Sequence, residues 1–175
     1  MQDFHEKSLS DDNSSIGKYL ETDTSQAAEE SSDLTRVDIR SQIGDIALEG
    51  LTHKVTSSPV IRVTDIQDDT MTADLIYTIR IEKADYLARE TYRVRYGSPR
   101  MYLLSYRRTL DVIPSKTTFS VKKNVLSVGV TSTDMNTVTN EAGSVAGFVQ
   151  AGNLYEYIQN KTGITRIFSF GDDFS

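Results

Sequence analysis

Hydrophobic and polar residues alternate with a period of two over much of the chain after residue 54, which predicts a β-rich fold. Val60–Ile66 has the composition of a strand, and the polar residues Asp68–Thr70 after it predict a turn. The next segment, Ala73–Lys83, alternates so regularly that a second strand is predicted there. Its apolar positions share one face: Leu75, Tyr77, Ile79 and Ile81.

Two segments lack this alternation and are predicted to be short helices. In Ala84–Val94 the small and apolar residues fall on one helical side, and Gly143–Ala151 has apolar residues at helical spacing. Between them, Met101–Ile113 alternates at Tyr102, Leu104 and Tyr106, which favours a strand. A helix remains an alternative for this segment, because the preceding serine and proline suit a helix N-terminus.

Two hairpins complete the pattern. The first is predicted over Thr117–Thr133, around a turn at Lys122–Asn124. The second joins Leu154–Ile158 to Ile164–Phe170 through a polar turn that contains Gly163. The predicted element order is therefore β-β-α-β-β-β-α-β-β, an α+β fold with a largely antiparallel β-sheet and two short helices.

The first 50 residues differ in composition from the rest. Residues 1–34 are dominated by Ser, Asp, Glu, Thr and Gln, so they bury too little apolar surface to offset the entropy of ordering. The segment that follows is transitional, since Ile39, Ile43 and Ile46 have the spacing of a short helix, whereas Ile43, Ile46 and Leu48 fit a strand equally well. We therefore expect a mostly disordered acidic arm over residues 1–50 and a single α+β domain over residues 51–175.

Charge is divided in the same way. Residues 1–50 contain 12 acidic and four basic residues, whereas residues 51–175 contain 13 acidic and 15 basic residues. Arginine and tyrosine alternate closely in the basic part, a combination that suits phosphate contact and stacking. Eight residues are predicted to contact a polyanion, either a nucleoprotein–RNA complex or an anionic lipid surface: Arg89, Arg93, Arg95, Arg100, Arg107, Arg108, Lys122 and Lys123.

Signals for catalysis and for cofactors are weak. The chain has no cysteine, and its two histidines, His5 and His53, are interpreted as solvated polar residues. No glycine-rich phosphate loop occurs, and no metal site or cofactor is predicted. The N-terminus lacks a signal peptide, and no apolar run approaches the roughly 18 residues that a spanning helix needs. A non-enzymatic protein with at most peripheral membrane contact is expected.

Five parts of the chain follow one another in an order known from a viral family: the polar arm, the strand Asp74–Lys83, the short helix Ala84–Val94, the strand Gly97–Tyr106 and the hairpin Phe119–Asp134, before a closing segment at Ser144–Phe170 with a helix and two strands. In this pattern and order the chain resembles the matrix proteins of rhabdoviruses, of the short plant-infecting type. The chain departs from the family in its acidic net charge of −6 and in lacking proline-rich budding motifs.

The resemblance implies a viral structural protein of the virion and host cytoplasm. Such a protein self-associates, condenses the viral nucleoprotein–RNA complex and contacts the inner face of the envelope, without a small-molecule substrate. By the same resemblance, a self-association segment is expected around Ile16 and Leu20. The alternatives are a protein–protein module of a bacterial secretion or conjugation complex, and a sequence-tolerant RNA-binding protein.

Overall fold

The structure is a computed structural model that describes residues 1–10, 19, 34–98, 100–115, 118–122, 125–128, 135–161 and 163–170. It consists mostly of antiparallel β-sheets with two short helices, as predicted. The elements are α1 (Gln2–Ser8), β1 (Arg36–Asp38), α2 (Ile43–Ile46), β2 (His53–Val55), β3 (Val60–Gln67), β4 (Thr70–Ile81), β5 (Ala84–Gly97), β6 (Arg100–Val112), β7 (Ser120–Lys122), β8 (Val125–Ser127), β9 (Thr137–Thr139), β10 (Val145–Gln150), β11 (Asn153–Ile158) and β12 (Ile164–Ser169).

The chain divides into two compact units. Unit 1 comprises Met1–Glu82 and Ala88–Leu110, and unit 2 comprises Lys83–Leu87 and Asp111–Ser175. The boundary predicted at residue 50 falls inside unit 1, because the first 50 residues supply α1, β1 and α2 to that unit.

The prediction of disorder is wrong for the start of the chain. Helix α1 buries Phe4, His5 and Ser8, and the Phe4 ring packs edge-on against Tyr92 at 5.9 Å. The packing of Phe4 and the contact of His5 Nδ1 with Glu90 Oε2 at 3.0 Å thus hold this polar segment against the sheet. Apart from Tyr19, residues 11–33 of the predicted arm lie outside the described residues.

A six-stranded sheet forms the framework of unit 1. Its strand order is β1-β6-β5-β4-β2, and β3 also pairs with β4. Two-residue turns join β3 to β4 and β4 to β5, with positive φ at Asp68 (46°) and Glu82 (52°). Because both turns are tight, β3, β4 and β5 are successive antiparallel neighbours and their register is fixed.

The helix predicted over residues 84–94 is wrong, because this segment belongs to β5. Alternate residues Ala88, Glu90, Tyr92 and Val94 are buried, which is the period of a strand. The buried position of Glu90 hides the alternation in the sequence, since a charged residue occupies a core-facing position. The preceding turn, Glu82-Lys83, also lacks the glycine or asparagine that marks most hairpins.

Unit 2 contains a four-stranded sheet of order β12-β11-β10-β9 and the separate hairpin β7–β8. The predicted helix over residues 143–151 is wrong, because β10 pairs antiparallel with both β9 and β11. A two-residue turn at Ala151 (φ 47°) and Gly152 (φ 68°) joins β10 to β11. The local spacing of Val145, Phe148 and Val149 mimics a helix, but only Phe148 of these is fully buried.

The remaining predictions of regular structure are confirmed where the structure describes them. The strands β3, β4 and β6 and the hairpins β7–β8 and β11–β12 occupy the predicted segments. The transitional segment contains a short helix, α2, which is one of the two structures predicted for it. None of the helices within the described ranges has the length and apolar composition needed to cross a bilayer.

Candidate polyanion-binding surface

The six-stranded sheet of unit 1 has two faces of opposite character. The inner face packs against α1 and contains fully buried aromatic side chains, among them Tyr77, Tyr92 and Tyr106. Side chains alternate between the two faces of a strand, so the residues between these positions point to the opposite side. We call that opposite side the outer face.

Basic residues from all six strands lie on the outer face. In the pairing of β2 with β4, Lys54 lies opposite Arg80, and in that of β3 with β4, Arg62 lies opposite Asp74. In the pairing of β1 with β6, Arg36 lies opposite Thr109. Residues directly opposite one another on paired strands share a face, so these pairs connect the strands across the sheet. Nine basic residues lie on this face: Arg36, Lys54, Arg62, Arg80, Arg89, Arg93, Arg95, Arg100 and Arg107.

Five carboxylates of the strands share the outer face and neutralise part of this charge. Asp74 accepts a hydrogen bond from Arg89 Nη1 at 3.1 Å and one from Thr91 Oγ1 at 2.8 Å. Asp38 lies opposite Arg107 and contacts Arg40 at 3.5 Å, and Asp65 lies opposite Thr72. Asp85 of β5 and Asp111 of β6 lie on the same face by alternation with Arg89 and Arg107. With nine basic residues against five acidic ones, the face remains positive.

A stack of two arginines and a tyrosine lies at one end of the outer face. The guanidinium carbons of Arg95 and Arg100 lie 5.6 Å and 4.6 Å from the centre of the Tyr102 ring. These distances are within the range of cation–π attraction. Gly97 permits this packing, because a Cβ atom at that position would lie 2.7 Å from Tyr102 Cε2.

Alternation shifts by one residue along β6, and this shift decides which arginines are exposed. Tyr102 contacts an outer-face arginine, and Leu103 after it is buried; farther along, Tyr106, Arg108 and Leu110 are the buried positions. At the start of β6 the even-numbered residue Tyr102 therefore faces outward. From Tyr106 onward, the even-numbered residues face inward. The shift places Arg100 and Arg107 on the same face of the sheet.

The structure brings together five of the eight predicted contact residues. Arg93, Arg100 and Arg107 are exposed, Arg95 is half-buried beside Tyr102, and Arg89 is engaged by Asp74. These five lie on the outer face of unit 1.

The other predicted contact residues lie elsewhere. The prediction is wrong for Arg108, which is completely buried on the inner face. Lys122 is exposed but belongs to unit 2. Lys123 lies outside the described residues, as do Ile16 and Leu20 of the predicted self-association segment.

Sequence reasoning missed four basic residues of the outer face: Arg36, Lys54, Arg62 and Arg80. They lie outside the basic stretch of residues 89–123 and join it only through strand pairing. For Arg80 a signal exists in the sequence, because it sits between the buried Ile79 and Ile81 in an alternating strand. For Arg36 and Lys54 the strand order is needed, since short strands carry too little pattern to place.

Arg108 is held in the inner core by backbone carbonyl groups. Its Nη1 donates to the carbonyl oxygen of Ile46 at 2.6 Å, and its Nη2 donates to that of Asp45 at 3.0 Å. These two carbonyls lie at the end of α2, where a helix leaves acceptors without intrahelical partners. Arg108 therefore fastens α2 to β6, which is a structural role.

A second buried cluster surrounds Glu90, which has no exposed surface. Its Oε1 accepts hydrogen bonds from Tyr77 at 2.8 Å and Tyr106 at 3.2 Å, and its Oε2 accepts one from Tyr92 at 2.5 Å. His5 Nδ1 lies 3.0 Å from the same Oε2. The expectation that His5 is a solvated residue is therefore wrong, because it connects α1 to the core of the sheet.

Burial and charge shift the proton affinities in this cluster in opposite directions. Burial alone raises the pKa of Glu90, but hydrogen bonds from His5 and Tyr92, with the nearby charge of Arg108, bring it below the ordinary value of 4.5. Burial and the Glu90 carboxylate raise the pKa of Tyr77, Tyr92 and Tyr106. Glu90 is thus an anion at neutral pH, and the three tyrosines remain protonated donors.

Acidification is expected to destabilise unit 1 as Glu90 takes up a proton. Because its folded-state pKa lies below the unfolded-state value, the unfolded chain binds the proton first. The stabilisation is therefore complete above the unfolded-state pKa and is lost as the pH falls through the folded-state value. Urea unfolding followed by circular dichroism, in steps from neutral pH to below 4.5, measures this loss.

The matched control for this pH effect is Glu90→Gln, which removes the titrating group at the same position. Its stability is lower at neutral pH and declines less steeply on acidification than that of the wild type. An equally steep decline in both proteins would show that Glu90 does not link unfolding to pH.

Two further features bear on catalysis, a cavity and the grouping of possible metal ligands. A cavity of about 440 Å³ lies beside α1, and its polar lining residues are Gln2, His5 and Glu6. His5 contacts Glu90, and Gln2 donates a hydrogen bond to Glu6. The other lining residues, such as Val55 and Leu75, are apolar. Within the ranges that the structure covers, no three His, Asp or Glu side chains are grouped to hold a metal ion.

Comparisons with protein families, with curated proteins and with solved structures find no match to this chain.

Proposed function

We propose that the protein is a non-enzymatic assembly protein, of viral-matrix type, that binds phosphate-bearing polyanions through the outer face of the unit 1 sheet. The observation that carries the proposal is the convergence of nine basic residues from six strands against five carboxylates. A broad basic surface attracts polyanions over distances up to about a Debye length.

The chemistry of the face supports phosphate as the ligand group. Eight of its nine basic residues are arginines, whose planar guanidinium groups bind phosphate oxygens through two parallel hydrogen bonds. Tyr102, stacked with Arg95 and Arg100, adds an aromatic surface on which an unpaired base can stack. RNA and anionic lipid head groups both present phosphate, so the proposal covers both sources.

In the proposed role, the basic face contacts the nucleoprotein–RNA complex or the inner leaflet of an envelope while copies of the protein associate. The resemblance to rhabdovirus matrix proteins suggests this role, and the charge of the sheet supports it. Self-association through Ile16 and Leu20 stays a prediction, since both residues lie outside the described residues.

Binding to single-stranded RNA and to phosphatidylserine vesicles, each measured at two salt concentrations, tests the proposal. If about five phosphates are contacted, the slope of log K against log salt for RNA is about −3.5. RNA binding with that dependence, without vesicle flotation, favours an RNA-binding protein that does not contact membranes. Binding to neither ligand would overturn the proposal and favour a module that binds only proteins.

A further inference from the structure

Strand β3 is an unusual edge of the unit 1 sheet. It pairs with β4 along its whole length, and no other described strand pairs with it. Seven of its eight residues are exposed. Its apolar residues are about half exposed or more: Val60 51%, Ile61 53%, Val63 49% and Ile66 71%.

An exposed apolar edge is a template for pairing with another strand. The backbone N–H and C=O groups on the edge of β3 that points away from β4 need hydrogen-bond partners, and the apolar side chains gain free energy from burial. β3 contains neither proline nor lysine, which commonly protect an edge. Its charged residues Arg62 and Asp65 and its bulge can also protect an edge, so they limit pairing to a partner with a matching register. The strand therefore has the properties of an interface.

A bulge makes β3 complementary to itself. The register with β4 shifts between Val63 and Asp65, so Arg62 and Asp65 both lie on the outer face although they are three residues apart. By the same shift, Ile61 and Ile66 both point to the inner face. Without the bulge, each of these two pairs would be split between opposite faces.

We propose that two copies of the protein pair through antiparallel β3 strands about a two-fold axis near Thr64. This register places Arg62 opposite Asp65 of the second copy, and Ile61 opposite Ile66 of the second copy. Val60 then lies opposite Gln67. Each contact occurs twice, as an interface with two-fold symmetry requires.

The proposed pairing also brings opposite charges of the two copies together. Arg62 already lies opposite Asp74 within its own chain, but a guanidinium group has five N–H donors and serves two carboxylates. The second copy therefore adds an opposite charge to Arg62 and to Asp65 at once. Like charges at the same positions would oppose the pairing.

Dimerisation also affects the surface proposed to bind polyanions. A two-fold axis perpendicular to the sheet keeps both outer faces on one side, so two six-stranded sheets form one continuous sheet. A long polyanion then meets two basic faces on the same surface, which raises its avidity. This consequence rests on the proposed function, whereas the pairing itself does not.

Sedimentation equilibrium over a range of protein concentrations, without RNA or lipid, tests the pairing. The wild type is expected to dimerise. Arg62→Glu places two acidic groups in contact, and Asp65→Lys places two basic groups in contact, so each variant dimerises about 30-fold more weakly. The matched control Asp69→Lys, with the same charge change in the adjacent turn, dimerises like the wild type.

Mixing the two variants gives the sharpest result, because each supplies the charge that the other lacks. The equimolar mixture of Arg62→Glu and Asp65→Lys is expected to form a heterodimer of near wild-type affinity. The double variant R62E/D65K, which restores both pairs, is expected to dimerise alone and so shows that the substituted strand folds.

Three results would overturn the pairing: a wild type that stays monomeric, single variants that dimerise as well as the wild type, or a mixture and double variant that fail to associate. The polyanion test is independent of all three, because a monomer also carries the basic face.

Discussion

Replacing Glu90 by leucine is expected to lower the free energy of unfolding of unit 1 by about 3–5 kcal/mol. The carboxylate accepts hydrogen bonds from Tyr77, Tyr92 and Tyr106 and contacts His5, all of them buried. Leucine leaves these donors without an acceptor in the core, and each unsatisfied buried group costs about 1–3 kcal/mol. Urea unfolding at neutral pH, followed by the tyrosine signal in near-ultraviolet circular dichroism, measures the change.

Glu49→Leu is the matched control, because Glu49 is an exposed glutamate of the same unit. It is expected to change the free energy of unfolding by less than about 0.5 kcal/mol. If Glu90→Leu were as stable as Glu49→Leu, the buried cluster would not be what attaches α1 to the sheet.

Reversing two charges of the outer face is expected to weaken polyanion binding at least about a hundredfold at low salt. Arg93 and Arg107 are exposed on neighbouring strands, so Arg93→Glu with Arg107→Glu changes the charge of the face by four without altering the core. Each basic residue near an anionic surface contributes about 1 kcal/mol, and each new carboxylate adds repulsion. Fluorescence anisotropy with labelled single-stranded RNA, and flotation with phosphatidylserine vesicles, measure the loss.

The control carries the same change of charge elsewhere. Lys161 and Arg166 are exposed basic residues of unit 2, so Lys161→Glu with Arg166→Glu matches the net charge of the first variant. Its affinity is expected to fall no more than a few-fold, through long-range repulsion alone. Equal losses in the two double variants would mean that net charge, and not the outer face, controls binding.

The sequence predicted the strands whose two faces differ clearly in polarity. β4 was found because buried Tyr77 and Ile79 alternate with Thr78 and Arg80. β5 was predicted as a helix because Glu90 occupies a core position, and three of its four partners, His5, Tyr77 and Tyr106, lie on other elements. A buried charge whose partners lie mostly on other elements looks like a surface residue in the sequence, so the polarity pattern predicts the wrong element.

The basic surface was only partly predictable for a related reason. Clustering in the sequence located Arg93 and Arg107, but membership of a face depends on register. Arg107 and Arg108 are neighbours on one strand, so alternation alone requires that they point to opposite faces. The contribution of Arg36 depends on the pairing of β1 with β6, strands more than sixty positions apart in the chain. Long-range pairing of this kind is not encoded in any local pattern.

Arginine footprinting by mass spectrometry, with and without single-stranded RNA or phosphatidylserine vesicles, tests the role of the outer face most directly. Phenylglyoxal modifies accessible guanidinium groups, so a bound polyanion protects the arginines that it covers. Protection is predicted at Arg80, Arg93 and Arg107, which are exposed on the outer face, while Arg166 of unit 2 stays reactive. Protection of Arg166 with continued reactivity of Arg93 and Arg107 would contradict the assignment of binding to this sheet.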